Sequence, residues 1–136
     1  MKHKMFAPYM ECAISFSKLS YAVRKKVGVV AVTPQDVMIY SWNGTASGDD
    51  NKCEDQYGKT LEETLHAEAN IVAKSAREGV SLKGSTVFIT LSPCIICSKQ
   101  MLQAGVERVV YLEEYRDLKG IAYLKSHGVI VEKFEQ

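Results

Sequence analysis

The 136-residue chain lacks most of what marks a protein for a membrane, for export or for a polyanion. No apolar run approaches the roughly 18 residues that a membrane-spanning helix needs. The Met1-Lys2-His3-Lys4 opening leads into residues 6–16, which Pro8 and Glu11 interrupt, so it does not read as a signal peptide and the expected compartment is the cytoplasm. Seventeen basic residues against 16 acidic ones leave a formal net charge of +1, so no general field draws in a nucleic-acid backbone and a small substrate fits better. There is no repeat, low-complexity tract or linker, and with 46% hydrophobic residues the expected organisation is one domain over residues 1–136. There are four cysteines. They could form two disulfides, but two of them make a CxxC in a chain without an export signal, which favours metal binding. Cys12 and Cys53 are left over, read as a buried free thiol and a loop thiol.

What is present is a regular succession of elements. Met10, Ala13, Ile14 and Leu19 carry helical spacing through residues 6–19. The basic cluster Arg24-Lys25-Lys26 leads into residues 27–32, a continuous β-branched run typical of a strand buried on both faces. A turn at 33–36 and a second strand at 37–42 predict a hairpin. Residues 43–59 lose all periodicity, which in a compact domain marks a functional or mobile loop. Helical spacing resumes at Leu65, Ala69, Val72 and Ala76 and stops near Gly79. Strands at 85–91, 108–112 and 129–132 alternate with helices at 94–104 and 117–126. The last two strands are separated by about 16 residues containing a helix, so they are expected to run parallel.

Two short segments carry the chemistry. They are His66-Ala67-Glu68 and Pro93-Cys94-Ile95-Ile96-Cys97, with 26 residues, 67–92, between His66 and Pro93. One imidazole (His66), two thiols (Cys94, Cys97) and a spare carboxyl (Glu68) are the parts of a three-ligand zinc site with an open fourth position for a water and a general acid/base beside it, which points to hydrolytic deamination of a nucleobase. Mid-helix positions two apart differ by about 200 degrees, so His66 and Glu68 can face one site only from a helix start. Thr64 is the expected N-cap, with Thr60 and Glu63 as a possible earlier start; at the next helix Ser92 is the expected cap and Pro93 the first helical residue. Other readings of the motif are weaker. A thioredoxin-type redox pair has no use for His66 or Glu68, and a structural zinc needs a fourth protein ligand, for which Cys53, His3 and His127 are the reserves. His127 reads as a surface or capping residue and His3 as part of a frayed terminus.

The chain resembles the zinc-dependent cytidine and deoxycytidylate deaminase superfamily, and within it the deoxycytidylate (dCMP) deaminases. The resemblance runs from Val27-Gly28 through Ser41-Trp42-Asn43-Gly44, His66-Ala67-Glu68-Ala69-Asn70 and Leu91-Ser92-Pro93-Cys94 to Gln103-Ala104-Gly105-Val106. The narrower assignment leans on residues 42–48, similar to a Gly-Tyr-Asn-Gly-x-Pro-x-Gly loop, with Ser41, Trp42 and Ala46 departing from it. The resemblance implies an α/β fold, cytidine-deaminase-like, with three α/β/α layers around a five-stranded mixed sheet. It implies zinc on His66, Cys94 and Cys97, catalysis by Glu68, and conversion of dCMP to dUMP with release of ammonia. It places the sugar at Asn43, the pyrimidine carbonyl at the Ala67 backbone and the departing amine at the Ser92 carbonyl. It further implies a homo-oligomer, hexamer or dimer, and in some members a dCTP or dTTP effector, with which Mg²⁺ would bind. The second, structural zinc of some members has no complete ligand set here.

From the residues themselves, Arg24 and Lys26 are candidates for the 5′-phosphate, since a phosphate dianion wants charge-assisted donors, with a solvated basic turn as the plain alternative. Tyr115 follows the fourth strand, where the crevice of an α/β sheet opens, and is a candidate nucleotide contact. Rival functions are an adenosine or cytidine deaminase acting on tRNA or single-stranded nucleic acid, a free-cytidine deaminase, and a non-catalytic zinc-stabilised module. The first calls for a basic or aromatic tail, whereas residues 132–136 offer Lys133 and Phe134 against two acids. The second typically brings three cysteines to zinc and joins its last strands antiparallel. The third leaves Glu68 without a purpose.

Overall fold

A computed structural model of the chain describes residues 1–45, 50–61 and 64–136. The β-branched run forms β1 (Gly28–Val32), and all five of its residues are buried. Its place in the sheet explains that burial. It pairs antiparallel with β2 (Met38–Trp42) on one side and with β3 (Thr86–Leu91) on the other. β3 runs parallel to β4 (Arg108–Glu113), and β4 parallel to β5 (Ile130–Lys133), giving the order β2-β1-β3-β4-β5. The expected parallel last pair is therefore present, with Arg108 opposite Ile130 and Tyr111 opposite Lys133. The expected hairpin closes at Thr33, whose N–H donates to the Val37 carbonyl and whose Oγ1 accepts the Val37 N–H.

Alternation along the strands divides the core between two faces. Val30, Val32, Phe88 and Val110 meet α1 (Phe6–Ser17) through Phe6, Met10 and Ala13. Val29, Ala31, Ile89 and Val109 meet α2 (Ala67–Glu78), α3 (Ile95–Gln103) and α4 (Lys119–Ser126) through Ile71, Met101, Ile121 and Leu124. The result is the three-layer α/β/α arrangement with a five-stranded mixed sheet. No described helix is long and apolar enough to cross a membrane.

Several boundaries differ from the sequence expectation, for identifiable reasons. The N-cap of α2 is His66 itself, not Thr64, whose hydroxyl donates instead to the Cys53 carbonyl at 2.9 Å. Glu63, which entered the alternative start, lies outside the described residues. The N-cap of α3 is Cys94, so Pro93 precedes the helix, and the Ser92 hydroxyl accepts the Tyr115 N–H at 2.7 Å rather than capping. In both cases a hydroxyl suited to a cap holds a neighbouring loop. The described residues of the loop, 43–45 and 50–59, have structure of their own, with bridges Gly44–Leu65 and Glu54–Thr60 and a turn in which Asp55 Oδ1 accepts from the Tyr57 and Lys59 N–H groups. His3 is not frayed: it belongs to a 3-10 turn (His3–Met5), and its Nε2 lies 2.7 Å from Glu132 Oε2.

The tightest contact between layers is at Gly28. A methyl group there would lie 1.9 Å from the Ala13 carbonyl oxygen and 2.7 Å from the Ser17 nitrogen, both backbone atoms of α1. Backbone cannot swing aside as a side chain can. Gly28→Ala is expected to cost about 3 kcal/mol, or about 10 °C in Tm, in thermal or urea unfolding. A variant as stable as the parent would show that α1 does not sit this close to the sheet.

Candidate active site

The sheet topology gathers the site at one end. The carboxyl ends of the parallel strands β3 and β4, the amino end of the antiparallel β1 and the carboxyl end of β2 all lie there, with the first turns of α2 and α3. A cavity of about 430 Å³ opens at this end, and its lining includes His66, Glu68 and Cys94 together with Arg24, Lys25, Tyr115 and Arg116.

His66 and Cys94 occupy N-cap positions, and Cys97 lies three residues after Cys94 on the same helix start. An N-cap backbone is extended, with ψ of 154° at His66 and 170° at Cys94, so each side chain projects beyond the helix end. His66 Nδ1 lies 3.7 Å from Cys94 Sγ and 3.4 Å from Cys97 Sγ. A tetrahedral zinc with Zn–S of about 2.3 Å and Zn–N of about 2.0–2.1 Å sets an N···S edge of about 3.6 Å. The donors fit zinc in type and spacing. All three ligand atoms fall within 4.8 Å of one another, and among the described residues no fourth His, Cys, Asp or Glu joins the group. The reserves for a closed structural site are elsewhere: His3 meets Glu132, His127 Nδ1 lies 2.9 Å from the Tyr123 carbonyl oxygen, and Cys53 lines the cavity outside the group.

Protons in the metal-free protein are distributed unevenly over these side chains. The Cys97 thiol holds the Cys94 sulfur as a thiolate, with a pKa lowered to about 4 despite burial, and His66 adds to the effect. The same Cys94 sulfur raises His66, against the pull of burial. Cys97, donating to Cys94 and buried, is pushed up. Glu68 is 5% exposed in the first turn of α2, and burial raises its carboxyl to about 7. A carboxyl that both holds and releases a proton near neutrality suits general acid/base chemistry.

The other expected residues divide. Asn43, Ala67, Ser92, Arg24 and Tyr115 all line the cavity, whereas Lys26 is exposed and outside the lining. Asn43 brackets the chain before β1: its Oδ1 accepts the Val27 N–H and its Nδ2 donates to the Lys25 carbonyl, both at 2.9 Å. Ser92 donates its N–H to the Glu113 carbonyl, and its hydroxyl accepts the Tyr115 N–H. Sequence reasoning passed over Lys25, Glu54, Glu114 and Arg116, which also line the cavity. The Arg116 signal was its position beside Tyr115 after β4. Asn70, two residues after Glu68, donates from Nδ2 to the Trp42 carbonyl and ties α2 to the end of β2.

Residues 5–113 match the family model described as the cytidine and deoxycytidylate deaminase zinc-binding region. The chain belongs to this family. The likeness extends to whole structures. A crystal structure of dCMP deaminase from cyanophage S-TIM5 in complex with dCMP and dUMP is 43% identical and superposes with a TM-score of 0.94 over 98% of this chain and 99% of that one. Deoxycytidylate deaminase of Saccharomyces cerevisiae is 29% identical over 98% of this chain and 48% of its own length. ComE operon protein 2 of Bacillus subtilis is 31% identical over 83% of this chain and 57% of its own length. The chain spans about half the length of these two curated relatives.

In this deaminase-family chain the cysteine-bearing helix start is backed by α4. A methyl group on Gly120 would lie 2.1 Å from the Pro93 carbonyl oxygen and 2.7 Å from both the Cys94 carbonyl carbon and Ser98 Oγ. Gly120→Ala must therefore push the tip that carries Cys94. The expected result is a folded protein that loses zinc about tenfold more readily to a chelator, read as bound metal per chain after dialysis. Zinc retention equal to the parent's would show that the tip position does not depend on this contact.

Proposed function

We propose that the protein hydrolyses dCMP to dUMP and ammonia, with one Zn²⁺ held by His66, Cys94 and Cys97. The observation that carries this reading is one cavity lined both by His66 and Cys94 of the donor triad with the buried Glu68 carboxyl and by the Arg24, Lys25 and Arg116 cations. In this reading the pyrimidine meets His66, Cys94 and Glu68, and its 5′-phosphate meets the cations. The dCMP complex of the cyanophage relative supports the substrate class.

When bound, Zn²⁺ supplies a Lewis acid that lowers the pKa of a coordinated water towards neutrality. The chain's own residues account for the remaining steps. Glu68 accepts one proton of the attacking water and delivers it to ring nitrogen 3 as the oxygen adds at carbon 4. The second proton of that water passes through the same carboxyl to the amine, which leaves as ammonia, and the oxygen stays as the new carbonyl. Ala67 is the first helical residue of α2, so its N–H has no partner within the helix and is free for the pyrimidine carbonyl. The Ser92 N–H and hydroxyl are engaged with Glu113 and Tyr115, which leaves its carbonyl for the amine. Asn43 keeps one amide hydrogen for a sugar hydroxyl after serving Lys25. Arg24 is the phosphate donor in this reading, joined by Arg116, while Lys25 is drawn to Glu113 at 2.6 Å.

The family resemblance carries a homo-oligomer and a dCTP or dTTP effector with Mg²⁺ into this proposal, although residues 46–49 of the loop concerned lie outside the described residues. A deaminase for polynucleotides is the poorer reading. In the tail Glu132 meets His3 and Arg108, and residues 132–136 carry one base, Lys133, against two acids. Side-by-side assays of dCMP, dCTP, deoxycytidine and a tRNA stem-loop test the choice, and preferential ammonia release from the stem-loop would overturn it.

Glu68→Gln is expected to keep one zinc per chain and to lose turnover by at least about a thousandfold, measured as ammonia release beside metal content. Residual activity within tenfold of the parent removes Glu68 from the proton path. Arg24→Ala is expected to raise KM for dCMP about tenfold with deoxycytidine turnover little changed. Equal losses on both substrates would take Arg24 away from the phosphate.

A further inference from the structure

Residues 20–27 lie between α1 and β1, contain no helix or strand, and carry Arg24 and Lys25 to the cavity. A backbone without a ladder has no intrinsic reason to hold a cation in one place. Here side chains from elsewhere do the holding. Ser20 Oγ donates to the Asn43 carbonyl and accepts the Ala22 N–H. Asn43 brackets Lys25 and Val27 as described. Between these anchors, Glu54 Oε2 accepts two successive backbone N–H groups, from Val23 at 2.9 Å and Arg24 at 3.1 Å. Glu54 is itself tied down, because it bridges Thr60 and its neighbour Cys53 accepts at its carbonyl from the Leu61 N–H and the Thr64 hydroxyl. Thr64 stands two residues before His66. Glu54 thus joins the basic segment to the stretch of chain that leads into the metal-bearing helix.

We infer that Glu54 is a positioning residue for the 5′-phosphate: by accepting the Val23 and Arg24 N–H groups it sets where the Arg24 guanidinium stands in the cavity. This rests on the dCMP reading above. Charge alone argues the reverse, since Glu54 lines the same cavity and a carboxylate near a phosphate repels it. The two roles differ in the sign of their effect. If Glu54 acts as a nearby negative charge, its removal lowers KM for dCMP. If it acts as the anchor of the basic segment, its removal raises KM.

The test is steady-state kinetics of zinc-loaded Glu54→Ala and Glu54→Gln, alone and combined with Arg24→Ala. Glu54→Ala is expected to raise KM for dCMP about tenfold, with kcat within threefold and deoxycytidine kcat/KM within threefold. Glu54→Gln keeps an oxygen acceptor and is expected to return KM to within threefold of the parent. In the Arg24→Ala background Glu54→Ala is expected to add less than threefold, because the group it positions is gone. A KM that is unchanged or lower in Glu54→Ala, effects that multiply with those of Arg24→Ala, or equal losses on dCMP and deoxycytidine each overturn the inference. A parent enzyme that leaves dCMP untouched overturns the functional reading, and this inference falls with it for a reason visible in the parent alone.

Discussion

Placing metal donors at the starts of two helices is the constraint from which the rest of the architecture follows. An N-terminus carries the positive end of the helix dipole, so two of them facing one point repel a cation unless the donors themselves are anionic. Cys94 and Cys97 answer that requirement, since the same positive ends favour thiolate at both sulfurs and the hydrogen bond from Cys97 favours it further at Cys94. An N-cap also removes the geometric objection to His66 and Glu68. One projects from extended backbone and the other from the first turn, so residues two apart reach one site without sharing a helix face. The converging tips approach closely, with Ala67 fully buried, and α4 backs the cysteine-bearing tip at Gly120, where there is no side chain.

The sheet supplies the point of convergence. Parallel β3 and β4 deliver α3 and the Glu113–Arg116 loop to the same end, and antiparallel β1 brings residues 20–27 there from the opposite direction. A wholly parallel sheet would have sent that basic segment to the far side of the molecule. The hairpin at Thr33 is thus as much part of the site's construction as the metal motif, because it sets the direction of β1 against β2 and returns Asn43 to the end where its side chain is needed.

How far the sequence discloses this differs between its parts. Strands and helices were legible because buried β-branched runs and 3.6-residue spacing report on packing faces, and the parallel last pair because a connection of that length admits little else. The metal triad was legible because its chemistry needs particular atoms at a helix start. The caps were not. Thr64 and Ser92 have the right side chains for capping, but each hydroxyl is claimed by a backbone group distant in sequence, Cys53 in one case and Tyr115 in the other. Lys26 and Lys25 were indistinguishable in a run of three bases, and only the course of the backbone decides that Lys25 lines the cavity and Lys26 does not. Glu54 gave no signal at all, since its partners are main-chain N–H groups 30 and 31 residues away, which any sequence possesses.

That last case bears on how a nearly neutral protein would bind a dianion such as the proposed substrate. Arg24, Lys25 and Arg116 line the cavity together with Glu54 and Glu114, and Lys25 is paired with Glu113, so the local field is almost balanced. Attraction at a distance is correspondingly small, and binding must come from hydrogen bonds of defined direction at short range. Direction demands a rigid support. The support here is not a strand or a helix but a set of single side chains, Ser20, Asn43 and Glu54, holding an irregular segment at successive points. Two N–H dipoles converge on one oxygen of Glu54 and partly offset its charge, so under the proposed reading this acid acts through what it holds.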